Sequence, residues 1–160
     1  MTWATRGVLA GLGLAGLFVV TAAGPVPVAQ GVDHKADAMT ETSPVETDMH
    51  EFMEYAFQEP YKRLVANLKQ APADRAGWKI IKSDALLLAE AGNLLLMRGP
   101  EEHRDLWAKH SVEVRELGSK LYAAGKARSY DDARPAWEAL IKSCNSCHDS
   151  FADGEHQLQP

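Results

Sequence analysis

The chain has 160 residues, 46% hydrophobic and 24% charged, with 12 glycines, 8 prolines and two cysteines, Cys144 and Cys147, which excludes collagen-like, low-complexity and multiply disulfide-stapled classes and sets one domain as the expectation. The formal charge of −5, from 17 Lys and Arg against 22 Asp and Glu, argues against a surface built to neutralise nucleic-acid phosphates. Aromatics are sparse at 8% and β-branched residues form no repeated alternating runs, which excludes an all-β fold.

Arg6 is the only charge before Asp33, and it precedes the apolar stretch GVLAGLGLAGLFVV and the small residues Thr21, Ala22, Ala23 and Gly24. This is the shape of a secretory signal peptide, residues 1–23. The apolar run is shorter than the roughly 20 residues a membrane-crossing helix needs, so no stable span is expected once the signal is removed. Cleavage after Ala23 and cleavage after Ala29 both satisfy the small-residue rule. The expected location is the periplasm or another exported compartment. Residues 24–44 are rich in small, polar and proline residues without periodicity and read as a flexible spacer.

From residue 45 to 160 apolar residues recur at threes and fours, which predicts four helices. The first spans about Val45 to Lys69, with Met49, Phe52, Met53, Ala56, Phe57, Tyr61, Leu64 and Leu68 on one broad face, a cap at Ser43 or Thr47, and a kink or local break at Pro60. The second runs from Ala73 or Asp74 to Met97, stopped by Arg98-Gly99-Pro100, and its LLLAEAGNLLLM run is expected to be buried nearly all round. The third spans Glu101 to Ala124, ended by Gly125, on a seam of Trp107, His110, Val114, Leu117, Leu121 and Ala124. The fourth starts near Asp131 or Asp132, accepts Pro135 in its first turns and reaches Asp153, with Trp137, Leu140, Ile141, Cys144, Cys147, His148 and Phe151 as its stripe. Short connections make consecutive helices antiparallel neighbours, so the predicted fold is an all-α, up-down-up-down four-helix bundle.

Cys144-Asn145-Ser146-Cys147-His148 is the strong chemical signal. At about 100° per residue, positions 144, 147 and 148 share one arc of a helix, so two thiols and an imidazole face the same way. Covalent haem attachment requires this: two sulfurs form thioethers and the histidine after the second cysteine binds the iron. A disulfide between Cys144 and Cys147 would close a tight, strained ring within the helix. A thioredoxin-like site expects the pair at a helix N-terminus beside a strand, whereas here it falls in the last turns. A zinc site would need a fourth ligand, for which His156 is the only nearby histidine.

With this motif near the end of a fourth predicted helix, the chain resembles the class II c-type cytochromes, the cytochrome c-prime family and its low-spin relatives, over about Val45 to Asp153. The resemblance implies a four-helix bundle carrying one haem c, with Cys144 and Cys147 as thioether anchors and His148 as proximal iron ligand. It also implies a distal side formed by the first helix, with methionine in low-spin members and an apolar residue in five-coordinate ones. The first helix here offers Met49, His50 and Met53 on one face. Met53 lies nearest the helix middle and is the expected distal ligand, ahead of Met49 and then His50. Two positions depart from the family pattern: Met49 stands where an arginine commonly precedes the distal residue, and Phe151 and Ala152 stand where a tyrosine and a basic residue commonly follow the haem histidine. Family members often form homodimers through their first two helices.

The remaining singled-out residues have structural readings. His110 is expected as a buried, hydrogen-bonded core histidine. Trp78, Trp107 and Trp137 are expected to pack the bundle or the ring edge. Asp48, Glu51, Glu54, Glu101 and Glu102 read as solvated helix-start charges, and His34 and His103 have no assigned partner. Together these readings predict an exported mono-haem cytochrome that passes single electrons between redox partner proteins of a respiratory or periplasmic chain and transforms no substrate of its own, so it is not an enzyme. The competing expectations are a five-coordinate haem protein binding nitric oxide or carbon monoxide, and a haem-free thiol protein.

Overall fold

The computed structural model describes residues 42–160, so the predicted signal peptide and nearly all of the predicted spacer lie outside the described residues. The described chain forms α1 (Met49–Phe52), a π-helical segment (Met53–Gln58), α2 (Glu59–Asn67), α3 (Arg75–Leu95) with a 3-10 turn (Leu96–Arg98), α4 (Arg104–Ala127) and α5 (Tyr130–Phe151). Among the described residues there is no strand. The first three elements follow one another without leaving helical backbone angles, so they act as one long, locally widened helix.

Neighbouring stretches run in opposite directions. The Arg98 guanidinium lies 3.8 Å from the centre of the Phe52 ring, while Arg63 grips Asp84 with bonds of 2.9 and 2.8 Å, so the first stretch rises as α3 falls. Trp107, early in α4, meets Phe151 at the end of α5 edge-on at 5.0 Å. The Leu68 carbonyl accepts from Tyr130 Oη at 2.9 Å and from Arg134 Nη1 at 3.1 Å, which ties the end of the first stretch to the start of α5. This all-α arrangement is compatible with the bundle expected from the sequence.

The tightest contact is between α3 and α4, and small residues create it. A Cβ built on Gly92 would stand 2.8 Å from the backbone nitrogen of Arg115, and one on Gly118 would stand 2.9 Å from that of Ala89. Only glycine allows this approach of backbones. By contrast, the backbones of α2 and α5 stay apart, and those elements meet through side chains. The core between them is filled by Leu64, Leu68, Ile81, Leu121, Trp137 and Leu140, all fully buried. No helix among the described residues is long and apolar enough to cross a membrane.

Several sequence expectations change. The first helix begins at Met49, not Val45, and its cap is Asp48, whose carboxylate accepts the Glu51 amide at 3.0 Å; neither Ser43 nor Thr47 has that role. Pro60 does disturb the stretch, and the break takes the form of the π-helical turns just before it, with Pro60 in the first turn of α2 where its missing amide costs least. The leucine-rich second helix is not buried all round: Leu86, Leu87 and Leu94 are exposed, because the Ala85, Leu88, Ala89, Gly92 and Leu95 face takes up all the packing against its neighbours. The third helix starts at Arg104, not Glu101, and Gly125 does not end it. That glycine lies buried against the Lys82 backbone, and the helix runs on to Ala127, where Arg128 closes it in a left-handed conformation. The fourth helix starts one residue early, at Tyr130, with Ser129 as its cap, and ends at Phe151, short of Asp153.

The α3–α4 seam yields a direct test. Gly118→Val should destabilise the protein by about 1–3 kcal/mol, because neither backbone can retreat from the added methyls. A urea midpoint measurement checks this, with the exposed Lys120→Ala expected to stay within about 0.5 kcal/mol of the parent.

Candidate functional site

Where the backbones of the first stretch and α5 stay apart, a cavity of about 530 Å3 opens between them. One wall is the first stretch, contributing Met49, His50, Met53, Phe57 and Tyr61. The opposite wall is α5, contributing Cys144, Cys147, His148 and Phe151. Leu95, Trp107 and Val114 form the inner end, and Glu54, Gln58, Lys62, His156 and Gln157 supply polar groups. A mostly apolar cleft of this volume, with a few convergent polar groups, falls in the range of roughly 300–1,000 Å3 typical of small-molecule and cofactor sites.

Each wall follows from local sequence. On α5 the fully buried stripe of Trp137, Leu140 and Ile141 continues into Cys144, Cys147 and His148, which are half-buried because they face the cavity instead of a neighbouring helix. On the first stretch Met49 and Met53 pack beside Phe52, Leu95 and Trp107, while the His50 ring is largely exposed, with Nε2 3.8 Å from the Glu54 carboxylate. The inner end is held by Trp107, whose indole N–H donates to the Leu95 carbonyl at 2.7 Å.

His148 has a defined hydrogen-bonding state. Its Nδ1 lies 3.0 Å from the backbone carbonyl oxygen of His156. A carbonyl only accepts, so Nδ1 carries the proton and Nε2 is left with a free lone pair. Burial lowers the His148 pKa, which keeps the ring neutral and able to bind a metal at neutral pH. The thiols are shifted the other way: burial pushes Cys144 up to about 12, with the neighbouring Cys147 adding to the effect, and pushes Cys147 up to about 11. Both are free thiols.

The sequence-predicted residues Cys144, Cys147, His148, Met53, Met49 and His50 all line this one cavity. His110 is buried, as expected, but its bonding is meagre: Nε2 is 3.5 Å from the Ser150 hydroxyl and Nδ1 has no partner. It stands behind Phe151, with ring centres 6.2 Å apart, and does not line the cavity. Trp78, Trp107 and Trp137 are all packed inside. Among the described residues no group of three or more His, Cys, Asp or Glu side chains is clustered so as to hold a metal ion by itself. The sequence offered Tyr61 only as an apolar-face residue, Asn145 only as a spacer within the motif and, after Gly154, only His156; in the structure Tyr61 and Leu158 line the cavity and Asn145 bonds to Leu158.

No protein-family model matches the chain, and no curated protein matches it.

The thiol shifts predict slow chemistry in the metal-free chain. Alkylation by iodoacetamide at pH 7, followed by mass spectrometry, should run roughly 100-fold or more below a free thiol, since the thiolate is the nucleophile. The rate should climb about tenfold per pH unit until the pH nears 11, where Cys147 ionises. Rapid labelling at pH 7 would mean that the two sulfurs are open thiolates.

Proposed function

We propose that this protein is an exported mono-haem c-type cytochrome of class II type, which relays single electrons between redox partner proteins. The observation that carries the reading is one cavity lined on one wall by Cys144, Cys147 and His148 and on the other by Met49 and Met53. The donor set fits a haem: two protonated thiols for thioethers, an imidazole with a free Nε2 lone pair, and thioether side chains across an apolar cleft. A redox thiol pair fits poorly, because burial holds both sulfurs in the form that does not attack disulfides.

Cys144 and Cys147 would hold the group covalently, His148 would supply the proximal ligand and Met53 the distal one, with Met49 and then His50 next in order. Haem bound between histidine and methionine supplies reversible one-electron chemistry without a substrate. The chain's own contribution is to keep His148 neutral and oriented, to exclude water with Phe57, Trp107 and Phe151, and to present methionine sulfur from the first stretch. The protein acts as a carrier and not as an enzyme.

Purified from a host that matures c-type cytochromes, the chain should be coloured, heavier than its amino acids by one covalent haem, and low-spin with a far-red methionine-to-iron band. Met53→Ala should turn that spectrum high-spin. A native high-spin spectrum would support an open distal side that takes nitric oxide or carbon monoxide, and a colourless chain would end the haem reading altogether.

A further inference from the structure

After α5 the chain turns back along the helix it has just left. Asp153 and Gly154 adopt left-handed backbone angles (φ 49° and 75°), and the Gly154 amide donates to the His148 carbonyl at 3.1 Å, which reverses the chain. The Gln157 side chain of the returning segment donates to the Asp149 carboxylate at 3.0 Å and to the Gly154 carbonyl at 3.2 Å, and two side chains from the helices grip its backbone. Asn145 Nδ2 donates to the Leu158 carbonyl at 3.0 Å while its Oδ1 accepts the Leu158 amide at 2.8 Å. Tyr61, from the first stretch, donates its hydroxyl to the Gln159 carbonyl at 3.0 Å and accepts the Gln159 amide at 3.2 Å. Between the reversal and these grips lies His156, whose carbonyl receives the His148 Nδ1 proton.

We infer that Asn145 and Tyr61 are positioning residues, which lock the C-terminal segment so that the His156 carbonyl fixes His148 in the tautomer with a free Nε2. His156 does not hold this place by itself. Its backbone is left-handed (φ 58°), which costs a non-glycine residue energy, and its ring is exposed. The restraint therefore comes from the residues that follow. Asparagine suits the task because its amide carries a donor and an acceptor side by side, matching the N–H and C=O of one backbone residue. Aspartate at 145 would set a carboxylate oxygen against the Leu158 carbonyl. Asn145 also sits inside the Cys144-to-Cys147 interval, so the turn bearing both sulfurs also orients the support of the imidazole.

The tautomer assignment concerns the bare chain; its effect on an iron ligand rests on the haem reading above. A carbonyl that accepts from Nδ1 makes the imidazole a more electron-rich donor, favours ferric iron and lowers the reduction potential.

The test has two arms. In the first, the full chain made without haem is examined by nitrogen-15 NMR of the histidine rings at a pH where they are neutral. The parent should show His148 as a single Nδ1–H tautomer; Asn145→Ala and Tyr61→Phe should each raise the Nε2–H form several-fold and speed amide exchange at Leu158 and Gln159. Asn145→Asp should behave like Asn145→Ala despite its matching size. Tyr61→Phe keeps the ring that packs on Trp137, so it reports even if the Asn145 variants fold poorly. An unchanged tautomer in Tyr61→Phe and Asn145→Ala, or full rescue by aspartate, overturns the assignment. In the second arm, haem-loaded Asn145→Ala should keep its low-spin spectrum while its potential rises, and an unmoved potential overturns the link to the iron. A colourless parent would sink the haem reading alone, and the first arm would still decide the clamp.

Discussion

The structure depends on an inequality in how closely its helices approach. Gly92, Gly118 and Gly125 let α3 and α4 touch backbone to backbone, so that a side chain at any of these three contacts would have to push its neighbour aside. Across the molecule, Met49, Met53, Phe57 and Tyr61 face Cys144, Cys147 and Phe151, and no small residues draw those helices together. A core packed at the density of organic crystals tolerates a void only where its lining cannot close on itself. The rigid α3–α4 pair thus serves as the frame against which the other two helical stretches hold a cleft.

The contents of that cleft determine what chemistry is open to it. Its sulfurs are at the C-terminal end of α5, where the helix dipole and burial both disfavour a thiolate, opposite to the placement that makes a cysteine pair reactive. The imidazole is neutral and has one nitrogen committed to a backbone carbonyl, which is the state a metal ligand needs. The buried carboxylate of Asp84 is held by the exposed Arg63, and this pair lies outside the cavity lining. The cleft therefore sets weak, polarisable donors (thiol, thioether and imidazole) on its two facing walls, with Glu54 and Lys62 as the charged groups of its lining.

Much of this was legible because helical periodicity records what each face touches. The spacing of Trp137, Leu140, Ile141, Cys144, Cys147 and His148 marked one inward stripe, and the shared face of Met49, His50 and Met53 marked its counterpart. Composition misled where an apolar run outnumbered the neighbours available to cover it, as at Leu86, Leu87 and Leu94. Glycine misled at position 125, since a helix stop and a close packing contact call for the same residue. The C-terminal segment was illegible for a different reason: its contacts run through backbone groups of His156, Leu158 and Gln159, which leave no pattern in side-chain identity.

The π-helical turns at Met53–Gln58 have a consequence for how such a cleft can change. A π turn is an α-helix holding one surplus residue. Deleting a single residue there would restore a regular ladder and rotate everything upstream by about 100°, exchanging the side chains that Met49, His50 and Met53 now present to α5. One codon lost there would thus change which side chains of the first stretch line the cleft while the frame of α3, α4 and α5 stayed as it is.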